Sequence, residues 1–454
     1  MDLCKDHLEL RDLASQPAIS LQLHTESPKS ALAVATICLR AATPQRRRTY
    51  DTEWTFALFS LFSNHETKIL ALGPPPACLM STMMIFIWVM IRSAVNLGYM
   101  KDPFVHHFVR KPTKRPPLIN RGYFARQTAI DTLIDGFLKA GGDTVKKQII
   151  SLGAGFDTRF FQLKSAVRRR PFFFFGGKNL ISSPFVQGVA SLARYVEVDF
   201  PEVVAAKVEI IKATQEVHGV IGTDLQCLPL LFTPPPPPPP LSVAEFLFSS
   251  SVFCLLSFSL CYLVDGGELH SSGYHVIGAD LRNLSAFQAK LASVGVDQGI
   301  PTLFISECVL IYMEATDSDQ ILKWISGTYL TAAFITYEMI YPEDAFGQTM
   351  LRNLESRSIA LRGIHAYPDL VAQKERYRKL GWQHSEAEDM FDIYNTHTPK
   401  PELQRVARLE LFDEFEEWEL ISRHYCLSWA TQTSPILLEQ GVDLHQAVHF
   451  PTHL

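Results

Sequence analysis

The run Gln148 to Phe160, QIISLGAGFDTRF, constrains this chain more than any other, because apolar residues break into a glycine-rich turn and then an acid. The residues before Gly153 suit a strand buried on both faces, and Gly153-Ala154-Gly155 lets the backbone reverse sharply and approach a ligand closely. Upstream, Ile130, Leu133, Ile134, Phe137 and Leu138 recur with helical spacing and describe one apolar face ended by Gly141-Gly142. Downstream, short apolar strands alternate with helical patterns. Tyr195 to Phe200 precedes a helix carrying Val204, Val208 and Ile211; Tyr274 to Leu281 precedes one carrying Leu284, Phe287 and Leu291. Leu303 to Glu307 precedes one carrying Ile321, Leu322 and Ile325, and Ala333 to Glu338 follows as the fifth strand. This rhythm predicts an α/β fold, a doubly wound, mainly parallel sheet with helical additions, binding its ligand beyond the carboxyl ends of the strands.

Two segments interrupt the rhythm. Pro171 to about Leu192 contains four consecutive phenylalanines and no helical period, and such a cluster is costly to expose. The second, about Pro229 to Val264, holds seven prolines, Pro234 to Pro240, and then nineteen uncharged residues from Phe246 to Val264. Nineteen residues could cross a bilayer, but a span there would put two strands of one sheet on opposite sides of it, so an insertion is expected. Residues 1–92 lack a coherent pattern and are expected to be disordered or partly aberrant. Their apolar stretch Ala77 to Ile91 is too short to span a membrane and reads as buried or misplaced sequence. The expected organisation is therefore an N-terminal region 1–92, a domain 93–431 interrupted at about 171–192 and 229–264, and a C-terminal tail 432–454.

A net charge of -5 gives no general attraction to nucleic acid. The eight cysteines form neither a CxxC pair nor a Cys/His cluster, so free thiols in a reducing, cytoplasmic setting are expected, with no metal site. The chain opens MDLCKDHLELRD, with mixed charges, and does not read as a secretory signal.

The chemistry points to the strand ends. Gly153-x-Gly155-x-x-Thr158 lacks the third glycine of the dinucleotide fingerprint, and no Gly-Lys-Ser/Thr follows to make a phosphate loop. An acid ending the second strand, Asp199, is placed to bind ribose hydroxyls; such an acid ordinarily lies about 20 residues past the glycines. Here 44 residues separate it from Gly155, and removing the 22 residues of 171–192 leaves 22. Asp280 and Glu307 end the third and fourth strands, so three carboxylates are expected around one crevice. That suits a cationic, ribose-bearing ligand, and S-adenosylmethionine fits the description.

KRPPLINRGYFAR, LGAGFDTRF, EVDFPEVV, VIGADLRNL, LFISECVLIYM, FITYE, FGQTM and SRHYCLSWAT together resemble the leucine carboxyl methyltransferase family. The resemblance implies a Rossmann-like methyltransferase that esterifies the C-terminal leucine carboxylate of type 2A protein phosphatase catalytic subunits, with S-adenosylmethionine as cofactor and the phosphatase as protein partner. It implies a cofactor-site arginine at Arg126, the loop glycine at Gly153, the ribose acid at Asp199, adenine contacts at Asp280 and Leu281, and an acid beside the methionine portion at Glu307. Tyr312 would help Arg126 orient the substrate carboxylate. A monomer is expected, and Pro342 to Phe391, with a helical stretch about Gln373 to Lys379, is expected to cover the substrate or to buttress the sheet. One departure stands out: a basic residue usual before the segment SAVNLGY is replaced here by Ile91-Arg92, with Arg92 as the candidate substitute.

The competing expectations are a tRNA-modifying or small-molecule methyltransferase of the same fold, and an inactive product of a faulty gene model. The tRNA-modifying relatives tend to carry a further C-terminal propeller domain, whereas this chain ends soon after SRHYCLSWAT. If both interruptions, and part of Ser60 to Ile91, are unspliced intervening sequence, reads of mature transcript are expected to skip them; reads running through the proline tract would overturn that expectation.

Overall fold

The computed structural model describes residues 87–109, 112–168, 189–221, 263–265 and 267–451. The triple arginine 46–48, the four phenylalanines 172–175, the proline tract and residues 246–262 lie outside the described residues. The first described element is helix α1, 87–96. It buries Trp88, Ile91 and Ala94, so the ordered domain starts before residue 93, and the end of the apolar stretch expected to be buried or misplaced is buried. The short helix α2, Val105–Phe108, leads to α3, Pro117–Lys139, which begins with a proline whose missing N–H costs nothing in a first turn. Its predicted face, Ile130, Leu133, Ile134, Phe137 and Leu138, is buried. Gly141 and Gly142 follow at φ 65° and 64°, a conformation that ends the helix and favours glycine.

The strands are β1 Lys147–Leu152, β2 Leu192–Asp199, β3 Leu263–Asp265, β4 Glu268–His270, β5 Tyr274–Gly278, β6 Thr302–Glu307, β7 Ala332–Met339, β8 His384–Asp389 and β9 Tyr425–Gln432. They form one nine-stranded sheet in the order β3-β4-β5-β2-β1-β6-β7-β9-β8. The five central strands, β5-β2-β1-β6-β7, are parallel, and both flanks are antiparallel. The chain winds from β1 outward to β2 and β5, then returns past β1 to β6 and β7. The strand order therefore reverses between β1 and β6, the place where such sheets bind ligands.

Helices cover both faces. Helix α4, Arg159–Arg168, follows β1; α5, Pro201–Ala213, and α6, Gln215–Ile221, follow β2; α7, Leu284–Ser293, follows β5; and α8, Ala315–Thr328, follows β6. On one face Ile150, Val196, Ile277, Phe304 and Phe334 pack with Phe287 and Leu291 of α7 and Ile321, Leu322 and Ile325 of α8. On the other, Phe160 of α4 stacks on Tyr274 with ring centroids 3.7 Å apart and nearly parallel planes.

Several boundaries differ from expectation. Val189–Ser191 is a 3-10 turn and β2 starts at Leu192, so the first interruption ends earlier than predicted. Leu263 and Val264, assigned to the second interruption, pair with β4 as an edge ribbon that no alternation announced. The region Pro342 to Phe391 divides. Helix α9, Ala345–Glu355, buries only Gly347, whereas α10, Leu370–Lys379, and β8 join the sheet, with Tyr377 and Trp382 in the core. After β8 come α11, Met390–His397, α12, Lys400–Val406, and α13, Phe415–Arg423, then β9, α14, Pro435–Glu439, and α15, Leu444–Ala447. The predicted tail is packed: Val442, Leu444, Val448 and Phe450 are buried. None of the described helices is long and apolar enough to cross a membrane.

Phe160 is 2% exposed. Truncation at Phe160→Ala removes a stacked ring and leaves a cavity, and should lower the unfolding free energy by about 3–5 kcal/mol in urea titrations.

Candidate active site

The glycine turn after β1 has the conformation its sequence demands. Gly153 and Gly155 adopt φ 63° and 52°, and a Cβ at Gly153 would collide with Val309 Cγ2. The amides of Gly153 and Ala154 donate to Val198 O at 2.8 and 3.2 Å, which ties the turn to β2. Asp199, at the end of β2, accepts from Gly155 N at 2.7 Å through Oδ2 and from Phe200 N at 2.7 Å through Oδ1. From beneath, Lys207 Nζ donates to Asp157 O at 2.6 Å and pairs with Glu197, and both of these side chains are buried.

Above the turn opens a small cleft, lined by Ile87, Trp88 and Ile91 of α1, Arg126 and Gln127 of α3, Ser151 to Ala154, Asp157, Arg159 and Glu307. Its centre is Glu307, at the end of β6. Arg126 Nε donates to Glu307 Oε2 at 2.7 Å, and Arg159 Nη1 donates to Oε1. Arg159 also donates to Asp157 Oδ2 at 3.0 Å, Asp131 Oδ1 at 3.1 Å and Gln127 Oε1 at 3.0 Å. The guanidinium of Arg126 lies 4.5 Å from the Tyr337 ring centre. Among the described residues its Nε bond to Glu307 is its one hydrogen bond, so its terminal N–H groups remain able to take a carboxylate edge-on.

Burial works to raise the Glu307 pKa, but Arg159 and then Arg126 overrule it and bring it down to about 2. The same cluster leaves Asp131 raised to about 6, because burial there outweighs the pull of Arg159. Arg126 is held above its ordinary value, since the charge of Glu307 overcomes the opposing effect of burial.

Of the residues expected from the sequence, Arg126, Gly153 and Glu307 line the cleft. Asp199 is not in the lining; it braces the turn through the Gly155 amide. Ala279 N donates to Asp199 O at 2.9 Å, so the backbone just before Asp280 and Leu281 runs beside the end of β2. Leu281 is buried, whereas the Asp280 carboxylate turns outward to Arg282, whose bonds lower its pKa. Three strand-end acids thus share one end of the sheet, but Glu307 alone of the three lines the described cleft. Tyr312 closes a 3-10 turn, Leu310–Tyr312, within electrostatic reach of Arg126, and burial drives its pKa well up. Arg92 directs Nη1 toward His106 O at 3.5 Å and is not part of the cleft lining; Ile91 is.

The sequence reading passed over Arg159, Asp157, Asp131, Gln127 and Trp88. A signal existed for Arg159, a charge opening an otherwise buried run with Phe160 and Phe161, which a surface helix start does not require.

The profile of the family described as leucine carboxyl methyltransferase matches residues 87–173 and 187–326. A leucine carboxyl methyltransferase 1 homolog of Arabidopsis thaliana is 38% identical over 74% of this chain and 84% of its own length. This chain belongs to the leucine carboxyl methyltransferase family. Leucine carboxyl methyltransferase 1 of Rattus norvegicus is 36% identical over 75% of this chain and 86% of its own, and tRNA wybutosine-synthesizing protein 4 of Homo sapiens is 33% identical over 75% and 42%. Membership makes the chain a methyltransferase and an enzyme. The family match begins where α1 begins and leaves out 174–186, inside the first predicted interruption.

Substituting Glu307→Gln strands the buried guanidinium of Arg126 and takes one of three carboxylates from Arg159. It should lower stability at pH 7 by about 3–5 kcal/mol, read from the urea midpoint. Because the folded pKa of about 2 lies below the ordinary 4.5, the carboxylate's contribution is complete above pH 4.5 and fades as pH falls toward 2. The variant should therefore lose less further stability than the parent across that window.

Proposed function

We propose that this chain transfers a methyl group from S-adenosylmethionine to the C-terminal leucine carboxylate of type 2A protein phosphatase catalytic subunits. The observation that carries the reading is the cleft at the switch point, where Arg126 and Arg159 flank Glu307 above the glycine turn. Two guanidinium groups against the carboxylates of Glu307 and Asp157 give a nearly neutral donor set. That set suits a zwitterionic amino-acid portion of the cofactor as a whole, and the open N–H groups of Arg126 are left for the accepting carboxylate. Gly153 leaves the space that a close-lying ligand needs. Gly153 and Glu307 are assigned to the methionine portion, Asp199 to the ribose, and Asp280 and Leu281 to the adenine.

When bound, S-adenosylmethionine supplies a methyl carbon made electrophilic by the adjoining sulfonium. The accepting carboxylate has a pKa of roughly 3.5 and is ionised at neutral pH, so the chain needs no general base. Its residues do two other things. Arg126, with Tyr312 beside it, holds the carboxylate in line at a separation of about 3 Å from the reacting carbon. Ile87, Trp88 and Ile91 exclude water, which would otherwise stabilise the separated charges that cancel during transfer.

The exposed helix α9 and its neighbours in Pro342 to Phe391 are the surface we assign to the phosphatase partner. We assign the enzyme to the cytoplasm as a monomer; Cys308 and Cys426 are free thiols, as suits a reducing compartment. The segments about 171–192 and 229–264 are taken as insertions with the boundaries trimmed as described above, and the gap in the family match supports the first.

Purified chain, labelled S-adenosylmethionine and phosphatase catalytic subunit should yield an alkali-labile ester only when the terminal leucine is present. Label appearing on tRNA instead, or on phosphatase lacking that leucine, would overturn the reading. Arg126→Ala should lower kcat/KM by at least about 100-fold. The fold should survive, because Glu307 keeps Arg159 as a partner.

A further inference from the structure

The FITYE motif contains an acid, Glu338, to which the reading above gives no task. It lies in β7, 2% exposed, in a strand buried along its whole length. Neighbouring strand residues point to opposite faces, so while Tyr337 lies under Arg126, Glu338 points away from it. A carboxylate in the middle of a sheet core is costly unless specific donors meet it. The donors here are backbone amides. Glu338 Oε1 accepts from Ile311 N at 2.8 Å, and the Leu310 amide also hydrogen-bonds the carboxylate.

Those amides belong to the 3-10 turn that ends at Tyr312. The turn follows Cys308, which adopts φ 55°, a left-handed conformation that a residue with a Cβ takes only when its surroundings impose it. Cys308 N donates to Tyr337 O at 2.7 Å. Leaving β6, the chain presents Glu307 to the two arginines, steps through the left-handed Cys308, and is drawn back onto β7 at Tyr337 O and Glu338 Oε1. Arg376 of α10 supplies the nearest balancing charge, and its Nε is anchored to Asp319 Oδ1 at 2.9 Å.

We propose that Glu338 is a positioning residue whose buried carboxylate pins the strained turn 308–312 so that Tyr312 is held beside Arg126. This rests on the assignment of Tyr312 and Arg126 to the substrate carboxylate made above. A residue needed only to fill the core would be better apolar, since a buried acid gains nothing there without amides to receive. Burial raises the Glu338 pKa to about 7 against the pull of Arg376 and the two amides, as expected of a group sealed from water.

The test compares Glu338→Ala and the gentler Glu338→Gln, which keeps an acceptor, with the parent. Hydrogen exchange of the amides of residues 310–312 should speed up by at least about tenfold in Glu338→Ala and by less in Glu338→Gln. The kcat/KM for phosphatase should fall by at least about tenfold in Glu338→Ala, while the Kd for S-adenosylmethionine stays within about threefold. In a Tyr312→Phe background, Glu338→Ala should cost no more than about twofold further, because both changes disable one device. Unchanged exchange in the folded variants overturns the proposal, and so does a full additional loss in the Tyr312→Phe background, which a merely structural role produces. If the parent transfers no methyl group to phosphatase, the functional reading above fails, and the exchange measurement still decides whether Glu338 pins the turn.

Discussion

The carboxylate of Glu307 between the guanidinium groups of Arg126 and Arg159 is the interaction on which the site depends. It joins the end of β6, the middle of α3 and the start of α4, and Arg159 extends it to Asp131, Asp157 and Gln127. Such a cluster is a poor way to gain stability, since the desolvation of several buried charges roughly offsets their mutual attraction. Its value lies in geometry. Each guanidinium is held by directional bonds, and Arg159 is held by several carboxylates at once, so the charges stand ready before a ligand arrives.

The position of that cluster follows from the sheet. Strand order reverses between β1 and β6, which parts the following segments and leaves a gap above the strand ends. The glycine turn forms one wall because Gly153 can approach Val309 without a side chain, and Asp199 braces the turn through Gly155 N. The apolar residues of α1 form the opposite wall. A polar cluster thus sits against apolar residues, and a lowered local dielectric strengthens the charge interactions within the cleft.

Much of this was legible in the residues. The central strands were marked by short, mainly apolar runs because both faces of a parallel sheet are buried, and β1, β2, β5, β6 and β7 fall where those runs predict. The edge ribbon β3 and β4 was not legible, since strands of three residues carry no period, and uncharged sequence hid the first of them. Helix α1 was missed for a related reason. Apolar residues continue around it, so no polar face distinguished a buried helix from displaced sequence. The packing of the tail was not legible either, because Val442, Leu444, Val448 and Phe450 are too sparse to describe a face, yet each is buried.

The sequence by itself determined the class of fold, the glycine turn and the strand-end placement of Glu307, because periodicity and glycine geometry are local properties that survive without a partner; Arg126 came from the family resemblance alone. Only the tertiary structure decided which charges meet. Arg159 and Asp131 lie 28 positions apart and Arg159 and Glu307 148, and no local pattern encodes a contact made by folding a helix back over a sheet. It also separated the strand-end acids that looked equivalent: Glu307 turns inward because two arginines compensate its burial, whereas Asp280, offered Arg282 two residues away at the surface, turns outward.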